Sequence, residues 1–332
     1  MRLDHAIFHS PLEPKIETVS KPKPEGYDAW EKDVPASFPM WHVQDGEVGK
    51  TVDYGIVSQP YGFEDSPDAE YISSGVNSKG PKSMALGRHG NWFLWGFAGD
   101  PTQMTDSARQ VFLNAVVWMK QFDGKAPFVA LGRGASFEAP HRDQALVHVQ
   151  FLRHYAKEKA LSSYMRNQFP KALWEKTKGD PDALEAYFRD NLEYLHPVKE
   201  RQSDERQGPN GVTQTTETEG TVLDVDPVLA EHAVSNRKPE FLDWFAELLD
   251  QREPDDATVQ ELADHYLPKD ALAELKKKGP LTFESFNAWR ASVKDRLYFS
   301  DSYGYRWQVA PTPIAKAASQ APPPASGADG SR

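Results

Sequence analysis

The stretch ALGRHGNWFLWGFAGDPTQMTDSARQVFLNAVVWMKQFDG, Ala85 to Gly124, carries most of what the chain says about its architecture. Gly87-Arg88-His89-Gly90 reads as a glycine-flanked turn. Asn91 to Phe97 (NWFLWGF) is an almost continuous apolar run, which predicts a strand covered on both faces in an α/β sheet with helices on each side. Trp92 and Trp95 stand at an odd separation and therefore on opposite faces of that strand. A helix is expected next. Thr105 is a good N-cap, and Asp106 places a negative charge at the positive end of the helix dipole. Ala108, Val111, Phe112, Ala115, Val116 and Met119 recur at i, i+3, i+4 spacing, and Gly124 offers a left-handed stop.

Upstream, Asp53–Gln59, Glu70–Val76 and Lys82–Leu86 carry the β-branched and aromatic residues of strands and end in turn chemistry. Residues 1–127 are thus expected to form an α/β module. Downstream the apolar spacing becomes helical. Asp143–Leu161 and Asp182–His196 define a helical module over 128–198. Residues 199–221 hold a single aliphatic before Thr221, Val212, and are expected to be a flexible linker too poor in apolar surface to order. Helices near 227–235, 239–250, 256–266 and 282–295, followed by a hairpin from Leu297 to Val309, make a second helical module over 222–310. Residues 311–332, rich in Ala, Pro, Ser and Gly, are expected to be a disordered tail.

Composition narrows the chemistry. Among 332 residues there are 38 Lys+Arg against 49 Asp+Glu, a net charge of −11, and no cysteine. The absence of Cys excludes disulfides, thiolate-ligated metals and thiol nucleophiles. An acidic chain without a basic run is a poor nucleic-acid binder, and no apolar stretch reaches the ~18–20 residues of a membrane helix. Asp4, His5, His9, Glu13 and Lys15 interrupt any apolar leader, so no signal peptide is readable. The expected compartment is the cytoplasm by default, or the periplasm if the chain begins inside a longer one.

The segment from Ala85 to Gly124 resembles the closing part of a ThuA-like domain, the class I glutamine-amidotransferase-like fold. The resemblance rests on Gly87-Arg88-His89-Gly90, the Asn91–Phe97 run, Pro101, and Asn114-Ala115 with Trp118; His5-Ala6-Ile7-Phe8 resembles an earlier step of the same domain. Met40–Gln44, Pro60–Phe63, Ser66–Glu70 and Phe299–Trp307 are similar to segments of large bacterial multidomain proteins without an assigned activity. The resemblance implies a partial amidotransferase-like sandwich, an association with carbohydrate metabolism, and no cofactor. It also implies that the first strands and the nucleophile elbow are missing, so that the sheet is completed by a protein partner, cut from a longer chain, or left small. Glutamine hydrolysis in that fold needs a Cys, which this chain lacks.

Candidate site residues are few. Arg88 and His89 stand where α/β folds place ligands, though a tight turn with solvated side chains explains them as well. Glu64 and Asp65, with Asp68 and Glu70 close behind, form the densest acidic loop, but lack the ordered oxygen spacing of a metal loop. Trp41, His42 and Tyr61 are the expected ligand-binding side chains, of the aromatic and polar types that stack on and hydrogen-bond a sugar. His141, His148 and His154 miss the spacing of a helical zinc motif, Gly132–Ser136 lacks the Lys-Ser/Thr of a phosphate loop, and no Gly-x-Ser-x-Gly occurs, so no metal is expected. The expectation is a non-catalytic binding or assembly module associated with carbohydrate; the alternative is a carbohydrate-active hydrolase or lyase using carboxylate and His chemistry.

Overall fold

The computed structural model describes residues 1–24, 27, 34–44, 66–75, 83–129, 140–155, 165–207 and 213–314. They divide between two compact units, one within Met1–Ala130 and the other within Leu131–Ala315. N-terminal strands come first, several helices follow, and a β-hairpin comes last, so the chain has mixed α/β content. The expected strand at Asp53–Gln59 and the tail from residue 315 onward lie outside the described residues.

In the N-terminal unit, β1 (Thr18–Pro22) pairs antiparallel with β2 (Ser37–Trp41). A separate three-stranded sheet has the order β3 (Ala69–Ser74), β4 (Met84–His89) and β5 (Trp92–Trp95), again antiparallel. Two expectations are corrected here. Gly87, Arg88 and His89 belong to strand β4, and the reversal occurs at Gly90, whose φ of +56° suits glycine. β5 is not covered on both faces: among the described residues it is the edge of its sheet, and Trp92 is 71% exposed. The continuous apolar run misled because Phe93 and Trp95, two residues apart, supply one buried face while Trp92 points away from it.

The helix α1 (Asp106–Met119) begins as expected, with the Thr105 hydroxyl accepting from the Ala108 amide. It buries Val111 and Ala115 against Ile7, Phe8, Ile72 and Leu86. Val116 departs from its expected place on the core face and is exposed with Leu113 and Val117. Asn114 is fully buried. Its amide nitrogen donates to the carbonyls of Ile7 (2.9 Å) and Leu12 (2.8 Å), and its oxygen accepts from the Leu12 amide (2.9 Å). One helical side chain thereby fastens the N-terminal segment, which makes no sheet of its own at that point.

The second unit contains α2 (Arg142–Tyr155), α3 (Lys171–Thr177) and α4 (Pro181–Asn191), then β6 (Leu195–Gln207) and β7 (Thr213–Val225). After these come α5 (Pro227–Glu231), α6 (Glu240–Gln251), α7 (Ala257–Tyr266), α8 (Lys269–Lys278) and α9 (Phe283–Val293). The hairpin β8 (Leu297–Ser300) and β9 (Arg306–Val309) closes the unit. Helix α8 was not foreseen, because Leu272 and Leu275 give its short sequence too little periodicity to stand out.

The expected flexible linker over 199–221 is corrected. β6 and β7 pair antiparallel in continuous register from Leu195↔Val225 to Gln207↔Thr213. A two-stranded ribbon satisfies its backbone groups by pairing rather than by burial, so a low aliphatic content does not keep it from ordering. Its threonines favour the extended chain, Arg201 stands opposite Glu219, and the Lys199 ammonium donates to the Thr221 hydroxyl (2.7 Å). Among the described side chains of the ribbon, those that reach a core lie at its base: Leu195, Val222 and Leu223, with Val225 packed beside them.

The division of residues 128–198 from 222–310 is corrected too. Both segments belong to one unit. The Arg142 guanidinium donates to Asp301 (2.6 Å), to the Leu192 carbonyl (3.0 Å) and to Asn236 (3.2 Å), while Asn236 donates to the Leu195 carbonyl (2.8 Å). Glu193 adds a second tie. Burial alone would raise its carboxyl, but hydrogen bonds from Arg237 and Ser235, with Lys238 nearby, hold it down at about 2.

Candidate functional sites

Arg88 and His89 are strand residues with side-chain partners rather than solvated turn residues. Arg88 is 6% exposed and donates through Nε and Nη2 to Glu70 Oε1, at 3.0 and 2.7 Å. Its guanidinium also stacks on the Phe122 ring, 3.9 Å from the centroid. His5 meets the other Glu70 oxygen at 3.1 Å. Burial would raise the Glu70 carboxyl, yet His5 and Arg88 together keep it below its ordinary value. The cluster binds β3, β4 and the N-terminal segment together.

His89 lies beside Ser66 and Asp68, the residue types of a hydrolytic triad. Ser66 Oγ is 2.9 Å from His89 Nε2 and 2.5 Å from Asp68 Oδ1. The geometry is wrong for nucleophile activation. Asp68 approaches the same ring nitrogen, Nε2 at 3.6 Å, whereas a relay needs the carboxylate on Nδ1. Ser66 is fully buried, out of reach of a substrate carbonyl, and Asp68 accepts from the Phe128 amide (3.1 Å). These three residues fasten a loop.

Of the expected ligand-binding residues, Trp41 is a core side chain. It packs edge-on against Phe8, Trp95 and Phe97, and its indole donates to the Ser107 hydroxyl (3.1 Å). His42 is exposed beside a small hollow of about 250 Å³ shared with Lys15, Glu17 and Gln110. Glu64, Asp65 and Tyr61, and the loop Gly132–Ser136, lie outside the described residues.

Two arrangements in the second unit escaped the sequence. The first is a groove of about 890 Å³ between α8, α9 and the β8–β9 hairpin. Trp289, Tyr303 and Leu275 give it aromatic and apolar surface; Gln308, Ser285 and Asp270 give it hydrogen-bonding groups. The face of α8 that lines it also carries Glu274, one helical turn after Asp270.

The second brings together His196 on β6, Asp226 at the start of α5 and His265 on α7. One ligand atom from each lies within 4.8 Å of the others. Asp226 is held firmly: Oδ1 accepts from the amides of Val228 (2.9 Å) and Leu229 (3.0 Å), and Oδ2 accepts from the Tyr266 hydroxyl (2.6 Å). The His196 and His265 rings are tilted against each other with centroids 5.6 Å apart, and both are half-buried. Burial, more than any neighbour, keeps His196 below its ordinary pKa; Asp226 opposes it, and His265 works in the same direction as burial. Burial and the Asp226 charge push the Tyr266 hydroxyl well up. No short-range spacing betrays this cluster, because each residue comes from a different element.

No family model, curated protein or solved structure matches the chain. Among the described residues, no helix is long and apolar enough to cross a membrane.

Proposed function

We propose that the chain is a non-catalytic binding module whose ligand is a carbohydrate seated in the groove between α8, α9 and the terminal hairpin. The observation that carries this reading is the groove's mixed lining. Trp289 and Tyr303 supply aromatic surface of the kind a sugar ring packs on, and Gln308, Ser285, Asp270 and Ser292 offer donors and acceptors to its hydroxyls. The location differs from the aromatic loops of the first unit, where Trp41 is committed to the core. ThuA-like ancestry for residues 1–127 belongs to the same proposal; the order β4, turn, β5, α1 and the anchoring role of Asn114 support it.

The hydrolytic alternative has less support. A glycosidase needs two carboxyl groups flanking the scissile bond, about 5–9.5 Å apart. Among the described residues lining the groove, the carboxylates are Asp270 and Glu274, and both project from the same helical wall. They can hydrogen-bond a sugar from one side but cannot attack and protonate from opposite sides.

The test is a glycan array with the intact chain, followed by calorimetry on the best saccharide. Trp289→Ala and Gln308→Ala should each weaken binding at least tenfold while leaving the far-UV circular dichroism spectrum intact. An array without a saturable hit, or a hit untouched by both substitutions, overturns the reading.

A further inference from the structure

We infer that His196, Asp226 and His265 form a binding site for a first-row divalent transition ion, with the chemistry of Zn²⁺ or Fe²⁺. Two imidazoles and one carboxylate are borderline ligands, suited to such ions rather than to Ca²⁺ or Mg²⁺, which prefer all-oxygen shells. The three ligand atoms already lie within 4.8 Å of one another. Around an ion with ligand bonds of about 2.0–2.1 Å, tetrahedral neighbours stand roughly 3.3 Å apart, so small side-chain rotations close the site.

Three features favour a built site over a chance encounter. Asp226 is oriented before any ion arrives, by two backbone amides and the Tyr266 hydroxyl, the kind of outer support that fixes a ligating carboxylate. Those bonds occupy part of the carboxylate's acceptor capacity and leave room for a further partner. Neither histidine ring makes a hydrogen bond to a protein group among the described residues, although each presents a ring nitrogen to the same small volume. Both rings are half-buried rather than sealed in the core, and an ion held by three protein ligands takes water in its fourth position.

The ion would join three elements, β6, the α5 N-terminus and α7. It is independent of the groove proposed for carbohydrate, since none of its three ligands lines that groove.

Calorimetric titration of the metal-stripped full chain with Zn²⁺, and visible absorption with Co²⁺ as a spectroscopic substitute, test the inference. The expected result is one ion per chain, a Co²⁺ spectrum of nitrogen and oxygen ligation, and a rise in Tm on adding Zn²⁺. His196→Ala and His265→Ala should each weaken binding at least tenfold, and His232→Ala should not. Where His265→Ala does not fold by circular dichroism, His265→Asn carries the same expectation. No saturable binding at micromolar ion, or binding indifferent to both ligand substitutions, overturns the inference.

Discussion

Arg142 and Asp301 stand 159 positions apart in the chain and meet at 2.6 Å, each 1% exposed. The bond is forked, because Nε also donates to both carboxylate oxygens, at 3.1 and 2.8 Å. The Arg142 backbone amide adds a further bond to Asp301 (3.1 Å), and the Tyr305 and Phe299 rings lie beside the guanidinium. Removing Asp301 leaves the Arg142 charge buried without its carboxylate, and removing Arg142 leaves Asp301 facing His141 (Nε2 at 3.5 Å) in place of the guanidinium; either loss costs more than the pair itself contributes.

Asp301→Asn and Arg142→Met are therefore each expected to lower unfolding free energy by about 3–5 kcal/mol in urea titrations. The double substitution should cost less than the two losses added together, because the second change removes the charge that the first left stranded. Fluorescence of Trp174 and of Trp307 should report the same transition, since this pair ties both halves of the second unit. Additive losses would show that the pair is not coupled.

Asn114→Ala strips three hydrogen bonds from the backbone of Ile7 and Leu12. At roughly 1–3 kcal/mol for each buried group left unsatisfied, a loss of about 3 kcal/mol is expected. Limited proteolysis should show the first cuts within residues 1–17, ahead of any in α1. A variant as resistant as the parent would mean that the Asn114 bonds are not what holds the segment.

His148 on α2 is held down at about 4 by burial, against an ordinary value of 6.5. Its folded pKa is depressed, so the unfolded chain takes up the proton first as pH falls. The stability associated with the neutral ring is fully present above pH 6.5, declines between 6.5 and 4, and is gone below 4. The full effect is at most about 3 kcal/mol. Stability curves of the parent and of His148→Gln, measured from pH 7.5 to 4, should differ in slope within that window. Parallel curves would remove His148 from the acid response.

The strand–strand–helix order around Trp92 and α1 was legible because glycines, an apolar run and an N-cap are local signals. The same signals misplaced Arg88, whose burial depends on Glu70 approaching from another strand and on Phe122 from beyond the helix, and His89, which meets Ser66 and Asp68 from the segment before β3. Residues 199–221 were misread for a related reason. Composition reports how much a segment can bury, and a hairpin that orders by backbone pairing has no need to bury much.

By itself, the sequence determined the exclusions and the elements. Lack of Cys removes thiol chemistry, and periodicity places most of the helices. Tertiary structure alone decided the groove and the His196–Asp226–His265 cluster, along with the union of two apparent helical modules through Arg142 and Asp301. The physical reason is one of range. Propensity, capping and periodicity act over a turn or two of chain, whereas a site is made where side chains remote in sequence are held a few ångströms apart.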